Sequence, residues 1–239
     1  MKILAINGSP RGTQGLTWHV LERFIKGMQE AQVEVETIQL AGKKIHHCTG
    51  ELACWLKTPG QCIHKDDMEE ILASMKGADA AVIATPVYVD GMTGLLKNCL
   101  DRMVPIADPH FEIRDGHLRH AAREGSPKRI ALVSVCGFWE LENFDPLVAH
   151  MQAICRNMNA EYAGAVLRPA APMMPYAKLL HPFKMHAVNK AFEKAGLEFA
   201  RAGKISGETA AAASAEIISR ESYIEQGNKY FDKELAKIK

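Results

Sequence analysis

The chain has 239 residues, a formal net charge of +1 and 24% charged side chains, ordinary values for a soluble globular protein. Its Lys and Arg are scattered rather than clustered, which excludes a basic footprint for nucleic acid or anionic lipid and predicts neither as a partner. No apolar run reaches the roughly 18 residues that cross a bilayer, and Met1–Pro10 breaks off too soon for a signal peptide. The expectation is a cytoplasmic protein whose six cysteines stay out of disulfides.

In chain order, Lys2–Asn7 is a short aliphatic run stopped by Gly8-Ser9-Pro10, the pattern of a buried strand ending in a turn. From Thr17 to Gln32, Val20, Leu21, Phe24, Ile25 and Met28 share one helical face. Val33–Leu40 alternates apolar and polar residues like a strand. Residues 41–66 read as irregular and hold Cys48, Cys54 and Cys62; Asp66 or Asp67 then caps a helix running to about Met75. Ala80–Ala84 is a third strand, and Thr93–Met103 a helix with Leu95, Leu96, Cys99, Leu100 and Met103 inward. Residues 105–128 form an insertion with a hairpin turning at Asp115-Gly116. Ile130–Val135 and Tyr162–Leu167 are the fourth and fifth strands, with a helix from Phe144 to about Met158 between them. A Pro- and Met-rich bend over Arg168–Tyr176, a helix over Met185–Ala202 and a helical Thr209–Lys239 complete the chain.

This alternation predicts an α/β fold, a five-stranded parallel sheet with helices on both faces and a C-terminal helical extension. The core is expected over residues 1–167, with insertions at about 43–66 and 105–128, and the extension over 168–239, packed on the core or on another subunit. Ligands of such sheets sit beyond the carboxyl ends of the strands where strand order reverses, so the loops after strands one, three and four should face one crevice.

The first of these loops suits a terminal phosphate. Gly12 and Gly15 allow close backbone approach, Ser9, Thr13 and Thr17 offer hydroxyls, Arg11 adds a cation, and Leu16 opens a helix whose N-terminus attracts anions. The spacing is neither Gly-x-Gly-x-x-Gly nor a Walker pattern. After the third strand come Pro86, Val87, Tyr88, Gly91, Met92, Thr93 and Gly94, where Tyr88 offers an aromatic face. After the fourth come Cys136, Gly137 and Phe138. Gly137 permits close approach, Phe138 or Trp139 can stack on a ring, and Cys136 reads as a small apolar contact rather than a redox thiol.

Gly8-Ser9-Pro10-Arg11 with Gly15 and Thr17, and Thr85-Pro86-Val87-Tyr88 with Met92-Thr93-Gly94, Leu96-Lys97-Asn98 and Leu100-Asp101-Arg102, resemble the two signature loops of flavodoxin-like NAD(P)H-dependent FMN reductases. The resemblance covers roughly residues 1–167. It implies a flavodoxin-like core, bound FMN, NAD(P)H as co-substrate, a small acceptor such as a quinone or free flavin, and a homodimer or homotetramer. The FMN-binding set it implies is Ser9, Arg11, Gly12, Thr13, Gly15, Leu16, Thr17, Pro86, Val87, Tyr88, Gly91, Met92, Thr93, Gly94, Cys136, Gly137 and Phe138. No acid or base is singled out, because hydride transfer to a flavin needs none and the cofactor carries the chemistry. The alternative is a flavodoxin-like electron carrier between protein partners.

Cys48-x5-Cys54-x7-Cys62 resembles the insertion of iron-sulfur flavoproteins, relatives of these reductases, whose pattern places cysteines at the positions of 48, 51, 54 and 62. Position 51 is Glu51, and a carboxylate is a hard, poor substitute for thiolate on iron. The expectation is a loop that keeps the family's shape without an iron-sulfur cluster. A zinc site using Cys48, Cys54, Cys62 and one of His46, His47 or His64 is the alternative by ligand type.

Overall fold

The computed structural model describes residues 1–123 and 125–238. Glu124, within the expected insertion, and Lys239, at the end of the expected last helix, lie outside the described residues. The elements run β1 (Lys2–Asn7), α1 (Leu16–Glu30), β2 (Glu34–Gln39), α2 (Ala53–Leu56), α3 (Met68–Lys76), β3 (Ala80–Pro86) and α4 (Gly94–Asp101). A hairpin β4 (Ala107–Arg114) and β5 (His117–Ala122) follows, then β6 (Arg129–Val135), α5 (Asp145–Met158) and β7 (Glu161–Arg168). The chain ends with α6 (Met174–Leu180), α7 (Pro182–Ala202), α8 (Gly207–Ala213) and α9 (Arg220–Ala236).

Five strands form one parallel sheet in the order β2-β1-β3-β6-β7, as the alternation predicts. The chain steps outward from β1 to β2 and then returns to β3 on β1's other side. That reversal opens a crevice at the carboxyl ends of β1 and β3. Successive strand residues point to opposite faces. Ile3 and Ala5 of β1 therefore enter one core with α1 and α7, while Leu4 and Ile6 enter a second with α3, α4 and α5.

α1 and α7 approach closely because each carries a glycine at the crossing. A Cβ on Gly27 would strike the backbone of Glu193, and one on Gly196 would strike the backbone of Phe24. Phe24 and Phe199 meet beside the crossing with ring centroids 5.9 Å apart. Glu193, almost wholly buried there, is enclosed by Arg23, Lys26 and Lys190 at 2.8–3.0 Å. Burial alone would raise its pKa; the hydrogen bonds from Lys190, Lys26 and Arg23 hold it down to about 2.

Three expectations are corrected. The helix over Thr209–Lys239 is two helices, broken at residues 214–219, where Ile217 and Ile218 are buried and Ser219 accepts from Ser222 N to start α9. A continuous helix could not bury those two isoleucines and still leave Ser219 free to cap. Residues 41–66 are not wholly irregular: α2 forms within them, its Trp55 Nε1 donating to Val104 O and Ala107 O. The bend over Arg168–Tyr176 gives way to helix from Met174. Of the two proposed caps, Asp66 accepts from Met68 N, whereas Asp67 accepts from Lys44 N and ties down the preceding segment.

Candidate functional site

The first loop is shaped from within the sheet. Asn7, wholly buried at the end of β1, accepts from Ser9 N at 3.1 Å and donates to Gly12 O at 3.3 Å and Gln39 Oε1 at 2.7 Å. Ser9 Oγ accepts from Arg11 N, and Gly12 takes a φ of +52° that a side chain would strain. Among the described residues, the amides of Thr13, Leu16 and Thr17 donate to no protein acceptor, and Arg11 makes no ion pair. Free donors at a helix N-terminus with an unpaired guanidinium beside them form a receptor for an anion.

The second loop is locked to the first by buried hydroxyls. Thr93 Oγ1 donates to Gly8 O at 2.7 Å and accepts from Leu96 N, capping α4. Thr93 N donates to Thr85 Oγ1, and Ser134 Oγ of β6 donates to Thr85 O at 2.7 Å. The ends of β1, β3 and β6 are thus joined by one network of almost wholly buried groups, where a satisfied polar chain enforces a single arrangement. Sequence reasoning placed Thr93 in the site and put Thr85 and Ser134 at its loops without giving either a role, and it missed Asn7. The available signal was a polar residue closing an otherwise apolar buried strand.

Beyond Pro86 and Val87, Tyr88 and Gly91 pair with each other across Val89 and Asp90, both with positive φ, in a two-residue hairpin. Val89 is fully exposed and holds φ +46°, a strained state for a β-branched residue. Tyr88 is half exposed, while Met92 is buried in the core on the α4 side of the sheet. Gly94 has open space where a side chain would stand.

In the third loop Cys136 is buried and its thiol accepts from Phe138 N at 3.3 Å. Burial pushes this thiol's pKa up, so it remains protonated at neutral pH. Gly137 is open to solvent and Phe138 is 64% exposed. Cys136 N donates to Arg168 O, and Ala171 N and Ala170 N donate to Cys136 O and Phe138 O. The structure therefore brings the three loops to one edge of the sheet, and every residue of the expected FMN set lies on them.

The cysteine segment stands beside α4. Asn98 donates to Ile45 O, and Arg102 donates to His46 O and forms a buried pair with Asp66 at 2.8 Å. Burial would raise the Asp66 pKa, but Arg102 and the amides of His46 and Met68 hold it at about 2. Cys48 is exposed, Cys62 half-buried and Cys54 buried, its thiol pushed up by burial and by the charges of Cys62, Glu51 and Cys48. Among the described residues no group of three His, Cys, Asp or Glu is close enough to hold a metal ion. The donor set is three thiols and a carboxylate, which does not fit a four-thiolate cluster.

Sheet order, switch point and loops define a flavodoxin-like fold. Residues 1–137 match the NADPH-dependent FMN reductase family, and the chain belongs to that family. It is 34% identical to an iron-sulfur flavoprotein of Methanocaldococcus jannaschii over 151 residues, 62% of this chain and 75% of that one. It is 37% identical to one of Archaeoglobus fulgidus over 105 residues, 44% of this chain but only 46% of the relative. In fold it is similar to an FMN-dependent NADH-azoreductase of Bacillus anthracis solved with FMN, with a TM-score of 0.61, 21% identity, and coverage of 84% of this chain and 99% of that one. A similar likeness, TM-score 0.59 and 14% identity over 83% of this chain and 96% of the other, links it to an NAD(P)H:quinone oxidoreductase of Methanothermobacter marburgensis.

Proposed function

We infer that the protein is an FMN-dependent oxidoreductase that takes electrons from NAD(P)H and delivers them to a quinone, a flavin or another small acceptor. The observation that carries this reading is the crevice itself: unpaired amides at Thr13, Leu16 and Thr17 beside Arg11, joined through buried Thr93 and Thr85 to the loops of Tyr88 and Phe138. Bound FMN would supply the hydride chemistry. The chain's own residues bind and orient. The Ser9–Thr17 loop holds the phosphate, with Ser9, Thr13 and Thr17 offering hydroxyls and Arg11 closing from solvent. Pro86, Val87, Tyr88, Gly91, Met92 and Gly94 line one side of the ring site, and Cys136, Gly137 and Phe138 the other. The protonated Cys136 packs and does not exchange electrons.

Residues 1–167 form the FMN-binding core in this reading, and residues 168–239 complete it and reach toward a second subunit. No described helix is long and apolar enough to cross a membrane, and cytoplasmic work as a homodimer or homotetramer fits the reading. The cysteine loop is read as one that keeps the relatives' shape without their cluster. The test is an absorption spectrum of the purified protein with iron measured on the same sample, followed by anaerobic NADPH and NADH. Flavin absorption that bleaches on adding either nucleotide supports the reductase. Bleaching only by a protein or chemical reductant would replace it with an electron carrier. Stoichiometric iron would overturn the lost-cluster reading, and no flavin after reconstitution would sink the function.

A further inference from the structure

Among the described residues the buried charged side chains are Arg102, Arg168 and Glu193. A charge is almost never buried without a partner of opposite sign. Arg102 has Asp66, and Glu193 has three cations around it. Arg168, 2% exposed at the end of β7, makes no ion pair among the described residues. Burial alone pushes its pKa down, to about 10, with no carboxylate acting on it, so it remains a cation at neutral pH.

Local hydrogen bonds satisfy only part of this guanidinium. Nε donates to Pro169 O at 2.7 Å, and Nη1 donates to Ala213 O at 3.2 Å and Ala215 O at 2.8 Å. Those carbonyls carry no formal charge, and they use three of the five N–H donors that an arginine has. Nη2 donates to no protein acceptor, and protein does not seal it off either. Arg168 lines a cavity of about 200 Å³ that lies between Trp139–Glu142, the bend after β7 and the break between α8 and α9. Its free end opens there.

The cavity pairs this cation with apolar walls. Trp139, Leu141, Met173, Ile217 and Ile218 line it, and the polar atom of Trp139 is spent on Ile218 O at 3.1 Å. Glu140 is held by Arg220 at 2.8 Å. Glu142 and Glu216 are exposed at the rim, where water and salt screen them, while the guanidinium stands at depth. The volume suffices for a ring with a short substituent, since a dry protein cavity of about 150 Å³ takes up benzene. We propose that this cavity is a second binding site, apart from the flavin crevice, for a small organic carboxylate with an apolar body. The carboxylate accepts a charge-assisted hydrogen bond from Arg168 Nη2, and the body lies against Trp139, Met173 and Ile217. Nothing in this depends on the flavin reading.

Isothermal titration of the full chain with sodium benzoate at low salt tests it. Benzoate should bind saturably, one per chain, with a Kd below about 10 mM. Benzamide, which has the same body without the charge, should bind about tenfold more weakly or worse. Arg168→Met should lower benzoate affinity about 10- to 100-fold. Where that variant does not fold, Leu141→Trp serves instead: Leu141 is 44% exposed, so the larger side chain is tolerated and narrows the mouth, and affinity should fall about as far. Saturating FMN should leave the benzoate affinity unchanged. The proposal is overturned by the absence of saturable binding, by equal affinity for benzamide, or by a folded Arg168→Met or Leu141→Trp variant that binds benzoate like the wild type. Competitive displacement of benzoate by FMN would place it in the crevice and overturn the second site. A protein that binds benzoate in this pattern but takes up no FMN would support the site while sinking the flavin reading.

Discussion

Arg11 shows how much of the site turns on single groups. Its guanidinium is exposed and makes no ion pair among the described residues, while the neighbouring amides wait without acceptors. A charge-assisted hydrogen bond to an anion contributes about 1.5–3 kcal/mol. Arg11→Ala should therefore weaken FMN binding about 10- to 100-fold and leave riboflavin, which lacks the phosphate, nearly unaffected. Fluorescence titration with both flavins measures this. Equal losses for the two would place Arg11 away from the phosphate. Thr93 acts differently, through position rather than contact: one hydroxyl caps α4 and anchors Gly8, so its loss would loosen two loops together.

The elements were legible in the sequence to different degrees, for physical reasons. All five sheet strands fall within one or two residues of their expected bounds: the buried ones read as apolar runs, and the edge strand β2, mostly unburied, reads from its alternation instead. The hairpin turns at Asp115-Gly116 as its composition predicts, both residues holding positive φ. The break before α9 was hidden, because Ala211–Ala213 favours helix and only tertiary burial of Ile217 and Ile218 interrupts it. The hydroxyl network was hidden too: Thr85 and Ser134 find their partners only when β1, β3 and β6 come together. The crossing of α1 and α7 went unseen, since glycines at positions 27 and 196 mean nothing until the helices meet. Gly196→Ala should drive a methyl into the Phe24 backbone and destabilise the protein by about 3 kcal/mol, the upper end of overpacking effects. A urea midpoint unchanged from wild type would show that the helices can separate without loss.

For the whole molecule, two buried carboxylates set the acid limit. Asp66 and Glu193 both titrate at about 2, below ordinary values of 3.8 and 4.5. A depressed folded-state pKa adds stability that is present above the ordinary value and is lost as pH falls toward the folded one. Each shift corresponds to on the order of 2–3 kcal/mol, so stability should hold near pH 5 and fall steeply from about 4.5 toward 2. Urea midpoints across that range should drop less steeply in Asp66→Asn and Glu193→Gln, although both variants start lower at neutral pH because their cationic partners lose a counter-charge. Parallel curves for wild type and variants would assign the acid transition to other groups.

The packing of α7 on α1 has a further consequence, for synthesis. The apolar face of α1, including Val20, Phe24 and Met28, is covered by Phe192 and Phe199, which leave the ribosome some 170 residues later. At about 5–20 residues per second, a nascent chain carries that face uncovered for roughly 10–30 seconds. During that interval the most N-terminal helix is sticky and the sheet lacks one of its layers. Chaperone demand in the cell should therefore fall on the growing polypeptide more than on the finished protein.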